Sequence, residues 1–222
     1  MCNVTNTCAE LHLNLSELER FRFPIDAERI PKNGIYFLYE FGESGHGVDR
    51  IVRVGTHTGN DQLRSRLHQH FVIENKDRSI FRKNIGRALL HRDNDPFLAQ
   101  WEIDLTTRAA RDRHGAHIDH AKQRAVEQLV TEYIQKCFSF AVIAVPDKAT
   151  RLTLESGLLS TISLCKECVP SKGWLGNFSP KEKIRQSGLW NVNELYKTPL
   201  DEKNLLLFRA ALVRQRTDVY SS

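Results

Sequence analysis

The amino-acid sequence predicts a single α+β domain, and three observations carry that prediction. A hairpin pattern occupies residues 34–55, long stretches of helical period follow it, and an apolar strand sits between two of those helices. The chain has 222 residues, 41% of them hydrophobic, which is enough for one domain with a genuine core. No repeat, low-complexity tract or Pro/Ser-rich linker divides it.

Residues 1–32 read as a lead-in, with a short helix expected from Asn14 to Arg22 before the breakers Pro24 and Pro31. From Gly34 to Glu40 the run GIYFLYE is a strand, with Ile35, Phe37 and Tyr39 on one face and Tyr36 and Leu38 on the other. The glycine-bearing loop GESGHGVD leads to a second strand, Arg50 to Gly55, in which Val52 and Val54 are expected to share a face. Asn60 or Asp61 then caps a helix that carries Leu63, Leu67 and Phe71 at helical spacing.

Residues 75–116 are polar and basic and read as an insertion, holding a helix SIFRKNIGRALLHR and a strand-like WEIDLTT. A long helix follows from His117 to Cys137. Phe138 to Val145 is apolar on both faces, as in a central strand covered by helices on either side. Pro146 and Asp147 end it and start a helix from about Ala149 to Leu164. A closing helix with a disordered tip, TDVYSS, completes the chain.

Thirty-two basic against 27 acidic residues give a net charge of +5, which permits a polyanionic partner without requiring one. The N-terminus lacks a basic segment followed by an apolar run, and no stretch approaches a membrane span, so a soluble, cytoplasmic protein is expected. Cys2, Cys8, Cys137, Cys165 and Cys168 form no disulfide framework, which suits a reducing compartment. Cys165 and Cys168 make a CxxC with no second ligand pair apparent along the chain, and they read as ordinary reduced cysteines. His114, His117 and His120 recur at three-residue intervals, but Gly115 interrupts the helical spacing that a shared metal would need.

Glu155 carries the clearest chemical signal. At 100° per residue it falls among Leu152, Leu158, Leu159 and Ile162, and a carboxylate in an apolar stripe needs a basic partner, a proton or a metal ion. A structural salt bridge and a functional role are both open on this ground alone. Arg66 and His70 lie one helical turn apart, able to stabilise a phosphate and manage a proton, or simply to form a solvated face.

Gly34-Ile35-Tyr36 on a first strand, Arg53-Val54-Gly55 on a second, the helix LRSRLHQH, then Glu155 and Asn177, occur in the order that resembles the GIY-YIG nuclease superfamily. The resemblance spans residues 34 to about 178 and implies a small three-stranded, mainly antiparallel sheet flanked by helices, with residues 33–178 as core and 179–222 as an extension. It implies hydrolysis of DNA phosphodiesters by a restriction, mobile-element or repair-type endonuclease. Tyr36, Arg66, His70, Glu155 and Asn177 match its catalytic positions, with Glu155 holding Mg²⁺, for which Mn²⁺ can substitute. Arg53 stands where the second signature usually has tyrosine, so one hydroxyl is replaced by a cation.

Double-stranded DNA is the implied partner; Arg78, Arg82, Lys83 and Arg87 of the insertion helix read either as a phosphate-tracking face or as a merely solvated one, a homodimer is compatible with the pattern, and a membrane is not. The rival reading is a nucleic-acid-binding module whose active site has lapsed.

Overall fold

The alternation in GIYFLYE sorts its side chains between two helical layers. Residues 3–219 are described by the computed structural model, with side chains described through residue 215. The chain begins with helix α1 (Val4–Ser16), followed by β1 (Gly34–Gly45) and β2 (Val48–Gly55). The turn between the strands is His46-Gly47, both at positive φ (53° and 81°), the two-residue geometry that matches strand twist. Helices α2 (Leu63–Phe71), α3 (Ile80–Arg92), α4 (Leu98–Glu102), α5 (Arg108–His114) and α6 (His120–Cys137) precede β3 (Phe138–Ala144). Then come α7 (Lys148–Leu164), α8 (Glu182–Ser187) and α9 (Glu202–Val219).

The expected α+β class and three-stranded antiparallel sheet are present, in the order β2-β1-β3. Ile35, Phe37 and Tyr39 join Leu11 and Leu15 of α1, Leu154, Leu158 and Ile162 of α7 and Phe208 of α9. Tyr36 and Leu38 face Leu67 of α2, Phe81 and Ile85 of α3 and Val130 and Ile134 of α6. The helices expected before and after β3 are therefore α6 and α7. Among the described residues no helix is long and apolar enough to cross a membrane.

Several expectations change. The N-terminal helix is Val4–Ser16, capped where Asn3 Oδ1 accepts Thr5 N–H, and not Asn14 to Arg22. Neither Asn60 nor Asp61 caps α2: its N-cap is Gln62, without a side-chain bond, while Asp61 exchanges hydrogen bonds with Asn33. WEIDLTT is not a strand: Trp101 lies in the last turn of α4 and fits against Gly86, where a Cβ would fall 2.3 Å from the indole. That burial, with Trp101 Nε1–H donating to Lys83 O at 3.0 Å, overrides the β-branched local pattern. Val52 and Val54 do not share a core, because the β1–β2 register shifts between Leu38 and Tyr39 and leaves Val52 as the extra residue of a bulge. Of the TDVYSS tip, Thr217 to Val219 end α9, while residues 220–222 lie outside the described residues.

Both sheet edges are covered. Phe21 exchanges backbone hydrogen bonds with Phe140 on the β3 side. On the β2 side, Trp190 N–H donates to Val52 O at 2.7 Å, and the Asn191 side chain donates to Val54 O (2.8 Å) and accepts from Val54 N–H (3.3 Å). The amide of Asn191 thus stands in for a fourth strand at the exposed edge.

Glu40 holds that arrangement. Its buried carboxylate accepts the indole N–H groups of Trp174 and Trp190, both at 2.8 Å, and the Tyr133 hydroxyl. Burial pushes its pKa up, and these donors pull it back. Trp190→Phe keeps the ring but removes one charge-assisted donor. It is expected to lower stability by about 1–3 kcal/mol, read as a lower urea midpoint at unchanged m.

Candidate active site

The open end of the β1–β2 hairpin is where the two helical layers meet. Tyr36 sits opposite Gly55, and a Cβ at Gly55 would fall 2.3 Å from the Tyr36 hydroxyl, so the second signature's glycine makes room for the first signature's tyrosine. Gly34 is under a similar constraint, its hypothetical Cβ lying 2.2 Å from Ile143 O. Thr56, the next residue, joins the pieces: its hydroxyl donates to Gly34 O at 2.7 Å and its N–H donates to Glu155 Oε1 at 3.1 Å.

Tyr36 Oη lies 2.8 Å from His70 Nε2, and His70 Nδ1 lies 2.7 Å from Ser79 Oγ. Both side chains are fully buried, beneath the wall of the cavity rather than in it. Burial first, and then the positive charges of Arg53, Arg66 and Arg82, hold the His70 pKa well below its ordinary 6.5. A neutral imidazole with its proton on Nδ1 accepts the Tyr36 O–H at Nε2.

A cavity of about 490 Å³ opens beside this pair, walled by Arg53 and Arg66 from one layer, Glu155, Ser156 and Leu159 from α7, and the segment Trp190 to Glu194. The β2 bulge aims Arg53 at it: Nη1 donates to Trp190 O at 3.0 Å, the guanidinium lies 5.3 Å from the Phe81 ring centroid, and the buried Nε has no partner among the described residues. Arg66 Nη1 donates to Arg78 O and Gln69 Oε1, and Arg66 also borders a neighbouring cavity of about 380 Å³ lined by Thr56, His57 and Gln62.

Glu155 is half-buried at the edge of its apolar stripe rather than at its centre, since Leu154 and Leu158 face the core while Leu152 is exposed. Burial raises its pKa, as does Glu194, while Arg53, the Thr56 N–H and Arg66 lower it. Its Oε2 takes no hydrogen bond among the described residues. One carboxylate oxygen beside a roomy polar cavity suits Mg²⁺, which keeps most of its waters and binds through one or two carboxylates.

Tyr36, Arg53, Arg66, His70 and Glu155 thus converge. Asn177 does not line the cavity; its amide donates to Ser171 O and Lys172 O. Asn191 and Asn193 do line it, and nothing in their local sequence marks them, because the edge-capping segment is placed only by tertiary contact. Of the four cations expected to track phosphates, Arg78, just before α3, is the exposed one. Arg82 is buried on Glu127, Lys83 pairs with Asp77, and Arg87 pairs with Glu102.

A buried tyrosine under a hairpin glycine, with a glutamate delivered to the same sheet end from the opposite layer, is the arrangement of a GIY-YIG domain. The chain matches the GIY-YIG domain family over residues 4–218 and belongs to it, and membership implies nuclease-type activity. No curated protein and no solved structure matches the chain.

The depressed His70 pKa has a measurable sign. Below pH 6.5 the unfolded chain binds a proton that folded His70 refuses, so this contribution to stability is present above 6.5 and is lost as pH falls below it. Urea unfolding at successive pH values is expected to show stability declining below pH 6.5, and less steeply in His70→Gln.

Proposed function

We propose that this protein is a Mg²⁺-dependent DNA endonuclease. The observation that carries the reading is the convergence of Glu155, Arg53 and Arg66 on one cavity over the Tyr36–His70 pair. Glu155 holds the cation, with Mn²⁺ as a substitute; when bound, it polarises the phosphate and stabilises the leaving oxygen.

The protein side chains do the rest. Arg66 and Arg53 neutralise the phosphate, and the unpartnered Arg53 Nε is a preformed donor for one of its oxygens. For Tyr36 to take the proton of the attacking water and pass its own phenol proton to His70 in relay, the wall that covers the pair has to open when DNA binds. Arg53 is the cation that takes the place of the second signature's hydroxyl. Asn193, whose neighbour Asn191 is engaged at Val54, serves in the role first expected of Asn177, binding the phosphate through its amide.

The DNA path continues from the cavity into an adjoining groove of about 430 Å³ that shares Ile80, Val192 and Asn193 with it and is bordered by Lys181 and Lys183. These lysines and Arg78 are exposed cations, with Lys181 at 4.0 Å from Glu102, whereas Arg82, Lys83 and Arg87 are themselves buried and paired with Glu127, Asp77 and Glu102.

Supercoiled plasmid incubated with Mg²⁺ or Mn²⁺ is expected to be nicked, with Glu155→Gln and Tyr36→Phe each slowing cleavage by roughly 10²-fold or more and Asn177→Ala leaving it nearly unchanged. Salt-sensitive binding without cleavage of plasmid, single-stranded or branched DNA under either metal would replace this reading with the lapsed binding module.

A further inference from the structure

Cys8 and His12 sit one turn apart on α1, His46 is in the β1–β2 turn, and Cys168 follows α7. Their sulfur and ring-nitrogen atoms lie within 4.8 Å of one another, drawn together from three distant stretches of chain. Cys8 and His12 are fully buried, Cys168 is 3% exposed and the His46 side chain 6% exposed. The cluster takes Cys168 from the CxxC, but not Cys165, and adds three ligands that no spacing along the sequence brings to it.

We propose that this cluster binds one structural zinc ion through Cys8, His12, His46 and Cys168. Two thiols and two imidazoles with no carboxylate are a soft N/S donor set suited to closed tetrahedral zinc. In such a tetrahedron a sulfur and a nitrogen ligand stand about 3.5 Å apart, given Zn–S and Zn–N bonds of about 2.3 and 2.0–2.1 Å. Cys168 Sγ is 3.4 Å from His12 Nε2, a matching edge.

The surroundings orient the ligands. His12 Nδ1 lies 2.9 Å from Cys8 O, which fixes the proton there and leaves Nε2 to ligate, the usual carbonyl support of a metal-bound histidine. Without a metal, Nε2 accepts Ile51 N–H at 3.1 Å, a bond that ligation would replace. His46 Nδ1 faces Glu167 Oε2 at 4.0 Å, which makes Nε2 the nitrogen assigned to the metal. His46 also occupies a positive-φ turn position that favours Asn or Gly, a constraint that ligation accounts for. Two thiolates offset the dication, so the filled site adds no net charge to the apolar layer around it.

Cys165 Sγ lies 3.5 Å from His46 Nε2 and stands outside the set of four. The site lies toward the closed end of the hairpin, remote from Glu155 at its open end, so the proposal is independent of the nuclease reading.

The test is metal analysis of the purified full chain after exposure to Zn²⁺ and gel filtration, with Co²⁺ substitution read by its tetrahedral visible spectrum. The expected result is about one zinc per chain, a thermal midpoint that falls with chelator and returns with zinc, and loss of the metal in Cys8→Ser and Cys168→Ser but not in Cys165→Ser. Because a ligand variant can fail to fold, the chelator reversal on the unaltered protein stands as a separate readout. Failure of the folded protein to retain zinc or give the cobalt spectrum, or loss of zinc in Cys165→Ser with retention in His12→Gln, overturns the assignment. Retention of plasmid nicking without zinc binding would reject this site and leave the endonuclease reading intact.

Discussion

A buried carboxylate with three donors fixes where the C-terminal half of the chain can lie. Glu40 projects from the central strand into the layer formed by α3 and α6, and it gathers Trp174, Trp190 and Tyr133 around its two oxygens. An ionised group there is tolerated only with such partners, so the two indoles are held as firmly as the strand itself. Their ring centroids lie 5.1 Å apart with the planes tilted by 58°, and Trp190 carries with it the segment that walls the cavity. Arg53, bonded to the Trp190 carbonyl, is positioned through the same contact.

The geometry of the candidate site depends on two layers arriving at one sheet end. Tyr36, His70, Arg53 and Arg66 come from the face covered by α2 and α3, whereas Glu155 comes from α7 on the other face. The Thr56 backbone N–H joins the two, receiving the carboxylate where β2 runs out. A carboxylate delivered in this way needs no dedicated loop, because the hairpin end is open to both layers and to solvent.

Much of this was legible in the sequence. The period-two run from Gly34 and the doubly apolar run from Phe138 specify strands because each has a face to bury, and α6 and α7 show their helical periods for the same reason. Four of the converging residues stand at recognisable motif positions, and Arg53 stands at the departure. What was hidden depends on long-range packing. The insertion helix looked basic, yet Arg82 and Arg87 are neutralised by Glu127 and Glu102, which no local pattern reveals. The bulge at Val52 breaks alternation only once the partner strand is in register. Cys8 and His12 could not be read as neighbours while β-branched Val4, Thr5 and Thr7 masked the helix that sets them one turn apart.

The Asn191 cap on β2 bears on how this domain is divided from its surroundings. A fragment limited to the motif-bearing stretch of residues 33–178 would leave Val52 and Val54 with backbone groups that now bond to Trp190 and Asn191. An uncovered apolar strand edge recruits another strand, from a second copy where none is available within the chain. The boundary of the autonomous folding unit is therefore drawn by the last hydrogen bond to the sheet, some distance beyond the last recognisable motif, and shortened versions of this chain are expected to associate rather than remain monomeric.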